Sequence, residues 1–433
     1  MMQRREPETV IQEHADIDER IYHVRLDSGL SVAVLPRPGF TKTYATYATH
    51  YGSIDNAFKV PGTNQSVTVP DGIAHFLEHK MFEKEGGGDV FDDFGRYGAS
   101  SNAYTDYVST TFLFSTTSYL HENLDILLDF VQRPYFTEEN VAKEKGIIEQ
   151  EIRMYLDMPG DRLHSNLMKA LYHRNPVRLD VTGSVESIRT IRPEDLYVCY
   201  RTFYHPSNMH VFVTGDVDAD RVIDQVAEAQ ARRAAQPQQP IERLYPPEPL
   251  DVRESRVEHR MQVAAPLFMM GFKDEPNHFT GQELLRREIV GALMWNGLVG
   301  RSSAFFAQLY EQGLINNRFQ AHYTAGLTYG FSVLGGETPE PERLEAVLRD
   351  ALGTLPISRQ DLERQKRREL GEYVGLFQSI EELAYVHNHL VFRGSSLFDI
   401  PDLIRSIRIE DLEEFRARHM SPSQTAVSVI VPA

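Results

Sequence analysis

The segments LSVAVLPR (residues 30–37), with its run of apolar residues, and KTYATYATHYG (42–52), rich in β-branched and aromatic residues, both predict strands. The spacing changes to a helical one over about Asp71 to Glu83. Strand signals return at Ala99 to Tyr107 and in STTFLFSTT (109–117), followed by helical stretches near Leu120 to Gln132 and Thr137 to Met158. Strands and helices mixed in this way predict an α+β chain, with helices packed on largely antiparallel sheets.

The same pattern occurs twice. A shift of 216 residues brings IRTIRPEDL (Ile188 to Leu196) over IRSIRIEDL (Ile404 to Leu412), with seven of nine positions identical. The register continues without a gap to match Pro206 with Pro422, Ser207 with Ser423, Val211 with Val427 and Val213 with Val429. In each copy Glu-Asp opens a helix, where carboxylates meet the positive end of the dipole, and a Pro-Ser turn and an alternating strand follow, HVFVTG or AVSVIV. Two halves of shared fold are therefore expected: a domain over 1–230 and its copy over 257–433. Between them 231–256 contains RRAAQPQQPIERLYPPEPLDVRESR, rich in Pro and Gln and poor in periodic apolar residues, and reads as a linker.

Chemistry is concentrated in the first half. His75-Phe76-Leu77-Glu78-His79 sets two imidazoles four residues apart, one helical turn, so both project from one face and can bind one ion. Glu78, three residues after His75, falls beside the same metal, where it can accept a proton from water without being a ligand. This is the inverted order of the His-Glu-x-x-His motif. Ile73, Ala74, Phe76 and Leu77 interleave with the polar set, so the helix is expected to be buried, and buried charges need partners or a metal.

Catalytic zinc takes three protein ligands and keeps a place for water, so one more side chain is required. It is sought on VAKEKGIIEQEIRMYLD (141–157), where Val141, Glu144, Ile148, Glu151 and Tyr155 form one stripe. Periodicity sets Glu149 aside and leaves Glu144 and Glu151 open.

His75-x-x-Glu78-His79 followed by Glu144-x6-Glu151 resembles the pitrilysin/insulinase family of zinc peptidases, in the size range of the mitochondrial processing peptidases. The resemblance implies that Glu151 is the third zinc ligand and that Glu144 orients the site from behind. It also implies that Ser101, Asn102 and Ala103, within GASSNAYTDYVSTTF (98–112), lie on an edge strand that pairs with the substrate backbone. Two related halves enclosing a peptide-sized chamber are implied as well, with one zinc site, because the equivalent stretch of the second half, read as GALMWNGL (291–298), has no His-x-x-Glu-His.

Active single-chain relatives carry an Arg and Tyr pair in the C-terminal half. Here the stretch is LYEQGLINNRF (309–319), with Tyr310 near the arginine's place and Asn316 near the tyrosine's. The chain accordingly looks similar to the metal-binding subunit of bacterial two-subunit members, a dimer in which a paralogous partner supplies the pair. The function expected is zinc-dependent endopeptidase activity on short or unfolded peptides. The alternative is a non-hydrolytic subunit of an assembly or modification pathway.

Composition narrows the field further. The 433 residues exceed what one core usually supports, and 41% hydrophobic with 25% charged residues is ordinary globular usage. A formal charge of −17, from 45 basic and 62 acidic side chains, opposes binding to nucleic acid or anionic lipid. The one cysteine, Cys199, precludes an intramolecular disulfide and reads as a buried structural thiol. MMQRREPETVIQEHADIDER has no apolar core of a signal peptide, and no run reaches the ~18 apolar residues of a membrane span, so a cytoplasmic location is expected. His50, His121, His205, His210, His387 and His389 have no evident metal-ligand partner and are assigned to packing or the surface.

Overall fold

The structure is a computed structural model and describes residues 9–14, 17–233, 238–275 and 278–433. Residues 234–237 of the expected linker thus lie outside the described part. Among the described residues fifteen strands form three sheets. The largest contains β1 (Thr9–His14), β2 (Glu19–Arg25), β3 (Ser31–Pro36), β4 (Thr43–Thr49), β7 (Ser100–Thr105), β8 (Thr110–Thr116) and β9 (Met209–Gly215), in the order β1-β2-β3-β9-β4-β8-β7. A small sheet joins β10 (Glu242–Arg243), β5 (Ala57–Lys59) and β6 (Ser66–Thr68). The third contains β11 (Arg256–Met261), β12 (Leu267–Lys273), β13 (Gln320–Ala325), β14 (Gly330–Glu337) and β15 (Thr425–Pro432), in the order β11-β15-β12-β14-β13.

The third sheet repeats five strands of the first. In each, the last strand of the copy runs parallel to the first, β3 to β9 and β11 to β15, and every other pairing is antiparallel. The helices repeat in the same order. They pair as α1 (Ile73–Met81) with α9 (Gly281–Val299), α2 (Val90–Arg96) with α10 (Ala304–Glu311), α3 (Leu120–Phe130) with α11 (Pro341–Ala351), and α4 (Glu138–Asp157) with α12 (Arg359–Leu376). Then follow α5 (Pro159–Leu171) with α13 (Ile380–Val391), α6 (Val185–Thr190) with α14 (Ile400–Ser406), and α7 (Pro193–Phe203) with α15 (Ile409–His419). Only α8 (Ala219–Ala231), among the described helices, lacks a counterpart. Among the described residues no helix is long and apolar enough to cross a membrane.

By packing, the chain divides into two compact units, and each draws on both sequence halves. One comprises Met1–Ile152, Asp180–Leu244 and Leu376–Phe392; the other comprises Arg153–Leu179, Tyr245–Gly375 and Arg393–Ala433. The boundaries 1–230 and 257–433 follow the sequence repeat, whereas the packing units exchange α5 and α13 across it.

In the first unit β9 is buried along its whole length, as a central strand covered on both faces must be. The alternation of β4 explains how. Tyr47 turns to α3 and α8, where its hydroxyl meets Gln132 and Gln230, while Thr46 turns to the opposite face and bonds Asn388 of α13. In the second unit α5 covers β12 and β15 so closely that a Cβ on Gly271 would stand 2.9 Å from Leu171 Cδ1 and 3.0 Å from Leu167 Cδ2. Tyr172, just after α5, donates to Gly330 O at 2.7 Å.

Candidate metal centre

The helix that carries His75, Glu78 and His79 starts at a fixed point. Gly72, its N-cap, and Gly183 both have positive φ, and a Cβ on Gly72 would meet Thr182 O at 2.4 Å. Only glycine allows two backbones to cross so tightly in that conformation. From there α1 is buried at Ile73, Ala74, Phe76, Leu77 and Met81, while His75 and Glu78 are 8% exposed.

The rings of His75 and His79 lie edge to face, 4.5 Å apart. Helix α4 approaches them with the stripe read from the sequence: Val141, Glu144 and Ile148 are buried, and Glu151 is half-buried. Glu151 Oε1 is 3.6 Å from His75 Nε2, and Oε2 is 3.6 Å from His79 Nε2. Glu144 Oε1 instead meets the other ring nitrogen, His79 Nδ1, at 3.0 Å. Spacing along the helix could not separate the two glutamates; the ring they share does. Glu149 points elsewhere, to Arg189 on the surface.

These side chains fit a zinc ion. A 3.6 Å separation is too long for a hydrogen bond, yet close to the ~3.4 Å between two ligands of one tetrahedral zinc with bonds of about 2.0–2.2 Å. One ligand atom from each of His75, His79 and Glu151 lies within 4.8 Å of the others, and no other group of this kind occurs among the described residues. Glu144 would keep the Nδ1 proton of His79 and leave Nε2 for the ion.

Electrostatics separate the roles. Burial lowers the His75 imidazole to about 3, helped by neighbouring His79, so it stays neutral and available as a ligand. For His79, burial also works against the charge, but the hydrogen bond to Glu144 and the nearby carboxylates outweigh it and raise the ring above its usual value. Glu78 is pushed up to about 7 by burial, against a hydrogen bond from Thr105 that favours the carboxylate. Thr105 Oγ1 donates to Glu78 Oε2 at 2.5 Å.

Ser101, Asn102 and Ala103 lie on β7, the edge strand of the large sheet, two to four positions before Thr105 at its end. Asn102 is exposed, and its Oδ1 accepts from Ala103 N at 2.9 Å. Two residues at the site escaped the sequence reading, Thr105 and Lys80. Strand alternation could have found Thr105, which shares a face with Ala103. Lys80 stands directly after the motif in an apolar run, which is the mark of a lysine that must be buried.

The second half reuses the scaffold without the ligands. Glu288 of α9 accepts from Ala325 N at 3.2 Å, at the end of β13, as Glu78 accepts from Thr105 at the end of β7. The stretch GALMWNGL lies later on the same helix, so the position matching the motif is Leu285-x-x-Glu288-Ile289, with two aliphatic side chains in place of imidazoles. Arg393 pairs with Glu288 at 2.7 Å. Asn316 donates to Glu337 at 2.7 Å, and Tyr310 is exposed. Cys199 is fully buried, with its thiol pushed up to about 12 by burial, which makes it inert.

Residues 68–184 match the insulinase (peptidase family M16) domain, and residues 190–369 match the peptidase M16 inactive domain. The chain is 42% identical over 423 residues to the uncharacterized zinc protease YmfH of Bacillus subtilis, covering 97% of this chain and 98% of that protein. An M16-like peptidase from Alicyclobacillus acidocaldarius is 36% identical, with a TM-score of 0.90 and full coverage of both chains. A protease from Helicobacter pylori, 18% identical with a TM-score of 0.77 over 99% of this chain, shares the fold. Two related α+β halves, the domains matched on each, and a near-full-length relative among the zinc proteases place this chain in peptidase family M16, the insulinase family.

Proposed function

We propose that the chain is a zinc-dependent endopeptidase acting on short or unfolded peptides, with His75, His79 and Glu151 as metal ligands and Glu78 as general base. The observation that carries this reading is the convergence of both Nε2 atoms on Glu151 beside a buried carboxylate that is not itself in the ligand set. Zinc, when held there, supplies Lewis acidity toward a water molecule and a peptide carbonyl.

The protein's own groups do the rest. An extended peptide adds to the free edge of β7 at Ser101 to Ala103, and main-chain pairing limits substrates to chains that are not folded. Glu78 takes a proton from the attacking water as the oxygen–carbon bond forms, then delivers it to the amine as the carbon–nitrogen bond breaks. Burial that raises this carboxyl makes it a stronger base than an exposed glutamate, which suits both transfers. No covalent intermediate is required.

Tyr310 and Asn316, where the family's Arg and Tyr are expected, support a dimer in which a paralogous partner supplies that pair. The same observation favours a second reading, a non-hydrolytic subunit, and one experiment addresses both. The chain alone, and with any similar chain encoded beside it, is assayed on an unstructured peptide, in parallel with Glu78→Gln. Zinc binding is expected to survive in the variant while cleavage falls about 10²–10⁴-fold. Full activity in Glu78→Gln would remove Glu78 from its role, and no cleavage by any combination would leave the scaffold reading.

A further inference from the structure

One buried charge has no part in the peptide chemistry. Lys80 follows His79 directly on α1, and its side chain is 0% exposed. An ammonium at that depth requires carboxylates around it. Two are present. Glu83, three residues on, bonds the Lys80 Nζ directly, and Glu144 Oε2 from α4 lies 3.9 Å away. Because Glu144 Oε1 meets His79 Nδ1 at 3.0 Å, Lys80, Glu144 and His79 form a continuous chain that ends on a candidate ligand.

We propose that Lys80 is a positioning residue for the metal centre, holding Glu144 from behind so that Glu144 holds the His79 ring with Nε2 toward the ion. This role presupposes the zinc reading of the site and adds a residue that touches neither metal nor substrate. A carboxylate anchored through one oxygen can still swing about its terminal torsion, whose well is broad; a cation on the second oxygen stops the swing. Glu83 completes the arrangement. Its carboxylate balances the ammonium, so seen from the metal the Lys80–Glu83 pair is close to neutral and repels a dication little. Glu83 also bridges to Asp89 across the Gly86-Gly87-Gly88 turn, which offers a competing, purely local role for Lys80 as the anchor of that turn.

The test is the zinc dissociation constant of the full chain, by competition with a chromogenic chelator, with circular dichroism and thermal unfolding of the metal-free proteins as the check on folding. Removing Lys80 alone would also strengthen the pull on a cation, so the informative variant is Lys80→Met with Glu83→Gln, which deletes a neutral pair. Zinc binding is expected to weaken about tenfold in that variant. Adding Lys80→Met and Glu83→Gln to Glu144→Gln should cost nothing further, because the same chain is already broken.

Unchanged or tighter zinc in the neutral-pair variant overturns the proposal, as does a loss that adds in full to Glu144→Gln. Should the neutral-pair variant fail to fold, Glu144→Gln decides: if it holds zinc as tightly as the unaltered chain, Lys80 has nothing to act through. A wild-type chain that binds no zinc would instead refute the metal reading itself.

Discussion

Thr105 shows how much a single hydroxyl can carry. It is the side-chain donor to Glu78, a carboxylate that, as the proposed general base, must keep one orientation to receive a proton. A hydrogen bond to a charged group contributes about 1.5–3 kcal/mol, or roughly 10–100-fold in an equilibrium or rate. Thr105→Val is therefore expected to lower kcat on an unstructured peptide by about tenfold or more while leaving zinc affinity unchanged. Initial rates and chelator competition read the two effects separately; a loss of zinc with kcat intact would reverse the assignment.

At this scale the sequence is legible where the helix alone fixes geometry. His75, Glu78 and His79 share a face because of spacing, whatever they pack against. Glu144 and Glu151 stand seven residues apart on one stripe, and only the approach of α4 to α1 decides which nitrogen each meets. The reach of Lys80 to Glu144 and of Thr105 to Glu78 stayed hidden for the same reason: these partners come from other elements.

Among the elements, α13 carries a second consequence of burial. Its His387 Nε2 lies 3.0 Å from His210 Nε2 of β9, its ring stacks on Phe212 at 4.1 Å, and His23 of β2 stands 6.1 Å away. Burial lowers all three imidazoles, His210 to about 3 and His387 well below its usual value with the help of its histidine neighbours. They are neutral in the fold, whereas the unfolded chain protonates them below about 6.5. The unfolded state then binds more protons, so stability rises with pH between about 3 and 6.5 and is lost as pH falls through that window.

His210, lowered to about 3, contributes a slope of about 1.4 kcal/mol per pH unit there. Urea unfolding from pH 7 to 5 should show this loss, and His387→Phe should flatten it. An identical pH profile in that variant would mean that the cluster takes up its protons without opening. The sequence assigned His210 and His387 to packing, but not to each other, since 177 residues separate them and only the placement of α13 unites them.

For the whole molecule, the duplication was readable and the exchange was not. IRTIRPEDL and IRSIRIEDL align because both copies keep the same capped helix before the last strand. Nothing local marks α5 or α13 as belonging to the other unit, because an amphipathic helix advertises that it packs, not on which sheet. The exchange has a direct test. Fragments 1–230 and 257–433 each lack a helix that covers one of their sheets, so neither is expected to unfold cooperatively alone, while co-expression should yield a folded pair. A cooperative, native-like transition in either isolated fragment would show that the exchanged helix is dispensable.

The wiring of α5 and α13 also bears on how such a chain could arise. A single copy would leave one sheet face bare and hold out one helix, and two copies trading helices would satisfy both, in the manner of a domain-swapped homodimer. Fusing the two end to end turns their meeting into an event within one molecule, at an effective concentration on the order of millimolar for a short tether. What would otherwise be an obligate pair, weakened by dilution, becomes a fold that completes itself at any concentration, and the second copy is freed to lose its metal ligands without losing its place.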